Sequence, residues 1–180
     1  MRVVAGRLGG RTFRAPRGRA TRPTSERVRE ALFAMLDELQ GARVLDLFAG
    51  SGALGIEALS RGAETVVFVE RHAGAARVLA QNLRALGLSP GEARLRRADA
   101  LVALRSARRR KETYDLVLID PPYAQARAWG LELSAVLPSL LGPSARVVVE
   151  SDRRAPLQLD LAVERRRSYG DTSITIHRKQ

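Results

Sequence analysis

From Arg43 onward the chain alternates between two hydrophobic periods. Short apolar runs at Val44–Phe48, Thr65–Glu70, Ala93–Ala98, Tyr114–Ile119 and Arg146–Glu150 have the length and bounding residues of strands. Between them, apolar residues recurring every three to four positions predict helices over Ala53–Ser60, Ala73–Leu86, Leu101–Arg109 and around Leu131–Leu140. In the second helix, Ala76, Leu79, Ala80, Leu83 and Leu86 form the inward face. Such alternation predicts a mostly parallel sheet with helices on both faces, because parallel neighbours need a long crossover. The pattern changes at the end. Gln158–Arg167 and Thr172–Arg178 alternate about Tyr169-Gly170-Asp171, as a closing antiparallel hairpin would.

Upstream, a helix starts at Thr24 or Ser25, either of which can cap it. Val28, Ala31, Leu32, Met35, Leu36 and Leu39 share its apolar face. Ahead of it, Arg2–Ala5 and Thr12–Arg14 flank Gly9-Gly10, which predicts a short β-hairpin carrying its arginines outward. A loop rich in Pro, Gly and Arg follows from Pro16 to Pro23. The expected organisation is a basic extension over residues 1–23 and one α/β domain over 24–180.

Composition narrows the classes. The 180 residues include no cysteine and two histidines, His72 and His177, so neither a disulfide framework nor a zinc centre is expected. No stretch is apolar enough to span a bilayer, and residues 1–22 lack the apolar block of a secretory signal. A soluble, cytoplasmic monomer is the expectation. Charge says more. The net is +12, and residues 1–29 hold nine arginines against one acid, Glu26. Arg2, Arg7, Arg11, Arg14, Arg17, Arg19 and Arg22 are therefore the candidate grip on a polyanion, nucleic acid before membrane surface.

The candidate chemistry collects at strand ends. The Tyr114–Ile119 run stops at Asp120-Pro121-Pro122-Tyr123. Two prolines stiffen the turn, leaving a carboxylate, carbonyl oxygens and a ring at the sheet edge where α/β proteins bind ligands. Acceptors beside an aromatic face suit a planar base with an exocyclic amine. A bare Asp-Pro-Pro reads as a stiffened connection; the added tyrosine and the upstream residues tip the balance. The run Asp46-Leu-Phe-Ala-Gly50-Ser-Gly52-Ala-Leu-Gly55 contains G-x-G-x-x-G, which alone suggests a dinucleotide. Asp46 at the strand end argues otherwise, since it repels a pyrophosphate and favours an ammonium or sulfonium. Glu70 ends the next strand and is placed for ribose hydroxyls. Asp99 follows the third, placed for an adenine amine or as a helix cap, with Ala100 offering a backbone N–H. S-adenosylmethionine fits this set, cationic at one end and a neutral nucleoside at the other.

These residues resemble the class I S-adenosylmethionine-dependent methyltransferases with an Asp-Pro-Pro-Tyr amino-methylating motif, and more narrowly the bacterial RsmD family. The resemblance runs through Arg2–Gly6, Thr21–Phe33, Asp46–Arg61, Asp120–Tyr123 and Tyr169–Thr172. It implies a seven-stranded Rossmann-like sheet and methylation of a guanine N2 in small-subunit (16S) ribosomal RNA, within the small ribosomal subunit. It also implies a cofactor set of Thr24, Asp46, Phe48, Ala49, Gly50, Ser51, Gly52, Gly55, Glu70, Arg71, Asp99 and Ala100. Asp120, Pro121, Pro122 and Tyr123 would clamp the flipped base, and no metal is implied. Either Asp120 or a water takes the amine's proton. The alternatives are a DNA adenine-N6 or cytosine-N4 methyltransferase, and a non-catalytic RNA-binding protein on the same fold. The clusters at Arg105–Lys111 and Arg165–Arg167 read as RNA contact or solvation, the second favouring solvation.

Overall fold

The computed structural model describes residues 1–15, 25–36, 38–121 and 126–179. Of the site residues expected above, Arg17, Arg19, Arg22, Thr24, Pro122 and Tyr123 lie outside the described residues. The first helix, α1 (Glu26–Ala34), is capped by Ser25, whose hydroxyl accepts from the Val28 N–H at 3.2 Å. It is shorter than its apolar stripe, because Leu39 reaches the core from the connection that follows. Strands and helices then alternate: β1 (Arg43–Leu47), α2 (Ala53–Ser60), β2 (Thr65–Val69), α3 (Ala73–Ala85), β3 (Ala93–Arg96), α4 (Ala100–Arg109) and β4 (Tyr114–Ile119). After α5 (Ala126–Val136), a 3₁₀ turn over Leu137–Leu140 leads into β5 (Leu141–Asp152). The chain closes with β6 (Ala162–Tyr169) and β7 (Thr172–Arg178).

The seven strands form one sheet in the order β3-β2-β1-β4-β5-β7-β6. β1 to β5 are parallel, and β7 runs antiparallel between β5 and β6. Side-chain alternation along the strands divides the core into two layers. Val44, Val66, Phe68, Leu116, Leu118, Val148, Ile174 and Ile176 pack beneath α1, α2 and α3. Leu45, Leu47, Val67, Val69, Val117, Ile119, Val147 and Val149 pack beneath α4 and α5. β5 starts earlier than the expected Arg146, with a register shift against β4 between Tyr114 and Leu116. β6 starts later than Gln158, since Leu157 and Leu159 join the helix-side core before any ladder begins.

The N-terminal hairpin is built into the first layer. Arg2 and Thr12 form an antiparallel bridge, with the Val3 N–H donating to the Arg11 carbonyl at 2.9 Å. Val3, Leu8 and Phe13 are buried among α1, α2 and α3 residues. The buried Glu57 of α2 accepts from the Val4 and Ala5 N–H groups at 2.8 and 3.0 Å. Ser60 Oγ accepts from the Leu8 N–H at 2.9 Å and donates to the Ala5 carbonyl. A glycine is required at position 6, where φ is +81° and an added Cβ would lie 1.9 Å from the Ser60 carbonyl oxygen. One arginine counted in the basic segment is not at the surface. Arg29 is 0% exposed, donates to the Arg2 carbonyl and lies 3.6 Å from Glu57.

Candidate active site at the carboxyl edge of the sheet

Chain order reverses between β1 and β4: β1 leads outward to β2 and β3, whereas β4 and β5 extend the other way. A crevice opens at the carboxyl ends of the strands at such a switch point, and ligands bind there in α/β sheets. Leu47 of β1 is paired with Val69 of β2 and Ile119 of β4, so the three strands end at one level. Glu70 and Asp120 directly follow these ends, and Asp99 follows β3 on the same edge. Asp46 and Asp120 thus flank the switch point from neighbouring strands.

The loop from β1 to α2 is tightly constrained. Phe48, Gly50 and Gly52 have φ of 63°, 57° and 86°, three left-handed residues in five. The first is not glycine, and a strained side-chain-bearing residue of this kind is characteristic of ligand loops. Phe48 is braced by Trp129 of α5, ring centroids 4.8 Å apart and planes at 77°. The Ala49 N–H donates to the Val69 carbonyl at 3.0 Å, and the Gly50 N–H donates to Glu70 Oε2 at 2.9 Å. The other Glu70 oxygen accepts from the His72 N–H at 2.7 Å. Glu70 therefore ties the loop to the end of β2.

Asp46 is 2% exposed and turned toward α2, where its Oδ2 accepts from the Gly55 N–H at 3.0 Å. Sequence reasoning had the carboxylate standing in the crevice; instead it lies under the loop. Burial pushes its pKa up to about 7, against the Gly55 N–H and with the Glu70 charge adding to the rise. Gly55 has to be glycine because an added Cβ would lie 2.3 Å from the Phe68 ring and 2.9 Å from Asp46 Oδ2. Asp99 caps α4, accepting from the Leu101 N–H at 3.0 Å, and Arg71 sits 3.9 Å from its other oxygen. Ala100 and Ser51 are buried beside these groups, Asp120 is half-buried and Pro121 is buried. With carboxyl groups beneath and beside a loop of backbone N–H groups, the edge opposes a pyrophosphate. It suits a ligand combining a cation, hydroxyls and an amine.

The described arginines of the expected RNA grip are exposed, and three have intramolecular partners. Arg2 pairs with Glu26 at 3.1 Å and Arg7 with Glu92 at 2.5 Å. Arg11 donates to the Leu86 and Ala85 carbonyls at the end of α3. Arg14 is held through its backbone by the buried Asn82. Sequence reasoning gave no role to Asn82, Glu57 or Trp129. The available signal was a polar residue at the inward spacing of a helix, and a single tryptophan in the chain.

The sheet order, the lone antiparallel strand and the carboxyl-edge loops define a class I methyltransferase fold. The family described as Conserved hypothetical protein 95 matches residues 1–178. The Bacillus subtilis (strain 168) protein YlbH is 39% identical over the full length of both chains. The ribosomal RNA small subunit methyltransferase D of Haemophilus influenzae is 34% identical, covering 87% of this chain and 81% of that protein. The solved structure of yhhF from Escherichia coli is 31% identical with a TM-score of 0.84, covering 100% of this chain and 98% of that one. The chain belongs to this family, the RsmD family of methyltransferases.

Proposed function

We propose that the chain transfers a methyl group from S-adenosylmethionine to the exocyclic N2 amine of a guanine in small-subunit ribosomal RNA. The observation that carries the reading is the placement of Asp46, Glu70, Asp99 and Asp120 at the ends of four neighbouring parallel strands around the switch point. The relative named ribosomal RNA small subunit methyltransferase D supports the RNA class. Bound S-adenosylmethionine supplies a methyl group already activated on a sulfonium. The Phe48–Gly52 loop, with the Asp46 charge behind it, would hold its amino-acid end, Glu70 its ribose, and Asp99 with the Ala100 N–H its adenine.

A guanine amine is a weak nucleophile because its lone pair is delocalised into the ring. The Asp120 carboxylate and a carbonyl of the proline turn accept its hydrogens, which favours a pyramidal nitrogen and stabilises the charge that develops there. The base reaches this edge by leaving its stack, and the Tyr123 ring receives it. Alignment supplies much of the remaining acceleration. Asp120→Ala is expected to lower kcat about 100-fold or more while leaving S-adenosylhomocysteine affinity within two- to three-fold. Labelled methyl transfer to small ribosomal subunits, naked RNA and DNA duplex, with calorimetric titration alongside, checks both the chemistry and the substrate. Equal loss of affinity and rate would refute this division of roles, and methylated duplex DNA would refute the substrate.

A further inference from the structure

We infer that Asn82 is a positioning residue that joins the arginine-bearing N-terminal segment to the glycine loop, so that RNA held by the one and nucleoside held by the other strengthen each other's binding. The inference rests on the reading of that loop and segment given above. Asn82 lies in α3 and is 2% exposed. Its Oδ1 accepts from the Arg14 N–H at 2.9 Å, and its Nδ2 donates to the Arg14 carbonyl at 2.9 Å and the Ser51 carbonyl at 3.0 Å. Both amide hydrogens and the carbonyl are thus engaged, by two segments 37 positions apart in the sequence (51 against 14).

Neither packing nor helix formation calls for asparagine here. An asparagine disfavours a helix interior, and a buried amide costs free energy unless its bonds are made. An apolar residue would avoid both costs but would take this partner from the Arg14 N–H and carbonyl and from the Ser51 carbonyl. What the amide adds is a connection. Ser51 sits between Gly50 and Gly52, and its carbonyl belongs to the same peptide plane as the Gly52 N–H, which closes the turn onto the Ala49 carbonyl at 2.7 Å. Holding Ser51 therefore orients the loop. Ser51 Oγ adds a weak contact to Met1 Sδ at 3.5 Å, again between loop and segment.

Among the described residues, the segment's other anchors, the weak Met1 contact apart, do not reach the loop. Glu57 holds Val4 and Ala5, Ser60 holds Leu8, and Arg11 holds the end of α3. This difference separates positioning from general loosening. If Asn82 links the two, energy gained when the segment binds RNA is shared with the loop, and the effect is reciprocal.

The test measures S-adenosylhomocysteine affinity with and without small ribosomal subunits, and kcat and KM for methyl transfer to them, in the unaltered chain, Asn82→Ala, Asn82→Asp and Ser60→Ala. The unaltered chain should bind S-adenosylhomocysteine more tightly when subunits are present. Asn82→Ala should weaken that binding roughly ten-fold and bring the ratio between the two conditions toward one. KM for subunits should rise, with kcat at saturation changed less than three-fold. Asn82→Asp keeps the size of the side chain and the acceptor for Arg14 but lacks the amide donors when ionised. It should show the same loss at pH 8, and it serves if the alanine variant folds poorly. Ser60→Ala should lower Tm yet leave both affinity and ratio within two-fold. An unchanged ratio in the Asn82 variants, or an equal loss in Ser60→Ala, overturns the inference. Failure of the unaltered chain to bind S-adenosylhomocysteine at all overturns the reading of the loop and this inference together.

Discussion

Asp46 is subject to two opposed demands. Burial favours its neutral form and holds its pKa at about 7, while the ligand ammonium of the proposed function would favour the carboxylate. Because the folded value lies above the ordinary 3.8, Asp46 contributes most to stability below that pH. The contribution is lost as pH rises to about 7 and is level above it. Ligand binding has the opposite sign. S-adenosylhomocysteine, which carries the ammonium, should bind with constant affinity above about pH 7 and weaken toward ten-fold per unit below it. Titration calorimetry at pH 6, 7 and 8 checks the slope, and Asp46→Asn should flatten it. The motif made the residue legible. Its burial under the loop depended on Gly55 of α2 and Phe68 of β2, which no local pattern around Asp46 contains.

At the scale of elements, the turn from β1 to α2 works because its glycines admit close neighbours. Gly55→Ala would drive a methyl group into the Phe68 ring, which is 0% exposed and has no room to yield. It is expected to cost about 1–3 kcal/mol and to weaken S-adenosylhomocysteine binding, by displacing Asp46. Gly74→Ala in the first turn of α3 meets nothing within 4 Å and should be neutral or slightly stabilising. Thermal melts of the two variants make the comparison. Helix α2 and strand β4 begin and end where hydrophobic periodicity predicted them. The shorter α1 and later β6 were not legible, because Leu39, Leu157 and Leu159 enter the core from irregular backbone, and an apolar side chain carries no mark of the conformation delivering it. β6 also accounts for one arginine cluster. Arg165, Arg166 and Arg167 are exposed on the outermost strand, where charge discourages pairing with another sheet. The other cluster ends α4, the helix that starts at Asp99 on the carboxyl edge and leads back toward the amino end of β4.

Taken as a whole molecule, the chain uses its first fifteen residues as core as well as surface. Removing residues 1–14 would strip Val3, Leu8 and Phe13 from the layer under α1, α2 and α3, and would take from Glu57 its Val4 and Ala5 N–H partners and from Asn82 its Arg14 partners. Three buried side chains at about 1.5–3 kcal/mol each are worth roughly 5 kcal/mol or more, a large share of a domain's net stability. The truncated chain should therefore melt far below the full chain, or fail to fold at any RNA concentration. A segment acting only as an appended basic grip would leave Tm unchanged. Urea titration of the two chains distinguishes these outcomes.

Hydrophobic period was sufficient to establish the α/β alternation and the antiparallel close, and the strand-terminal acids pointed to the carboxyl edge of the sheet. Those features depend on neighbours along the chain, so local order encodes them. Tertiary structure alone decided which arginines are occupied, that Asp46 is covered, and that Asn82 and Glu57 bind the N-terminal segment to α2, α3 and the glycine loop. Each of these depends on partners brought together from distant positions, and it is their three-dimensional proximity that sets burial, pairing and protonation.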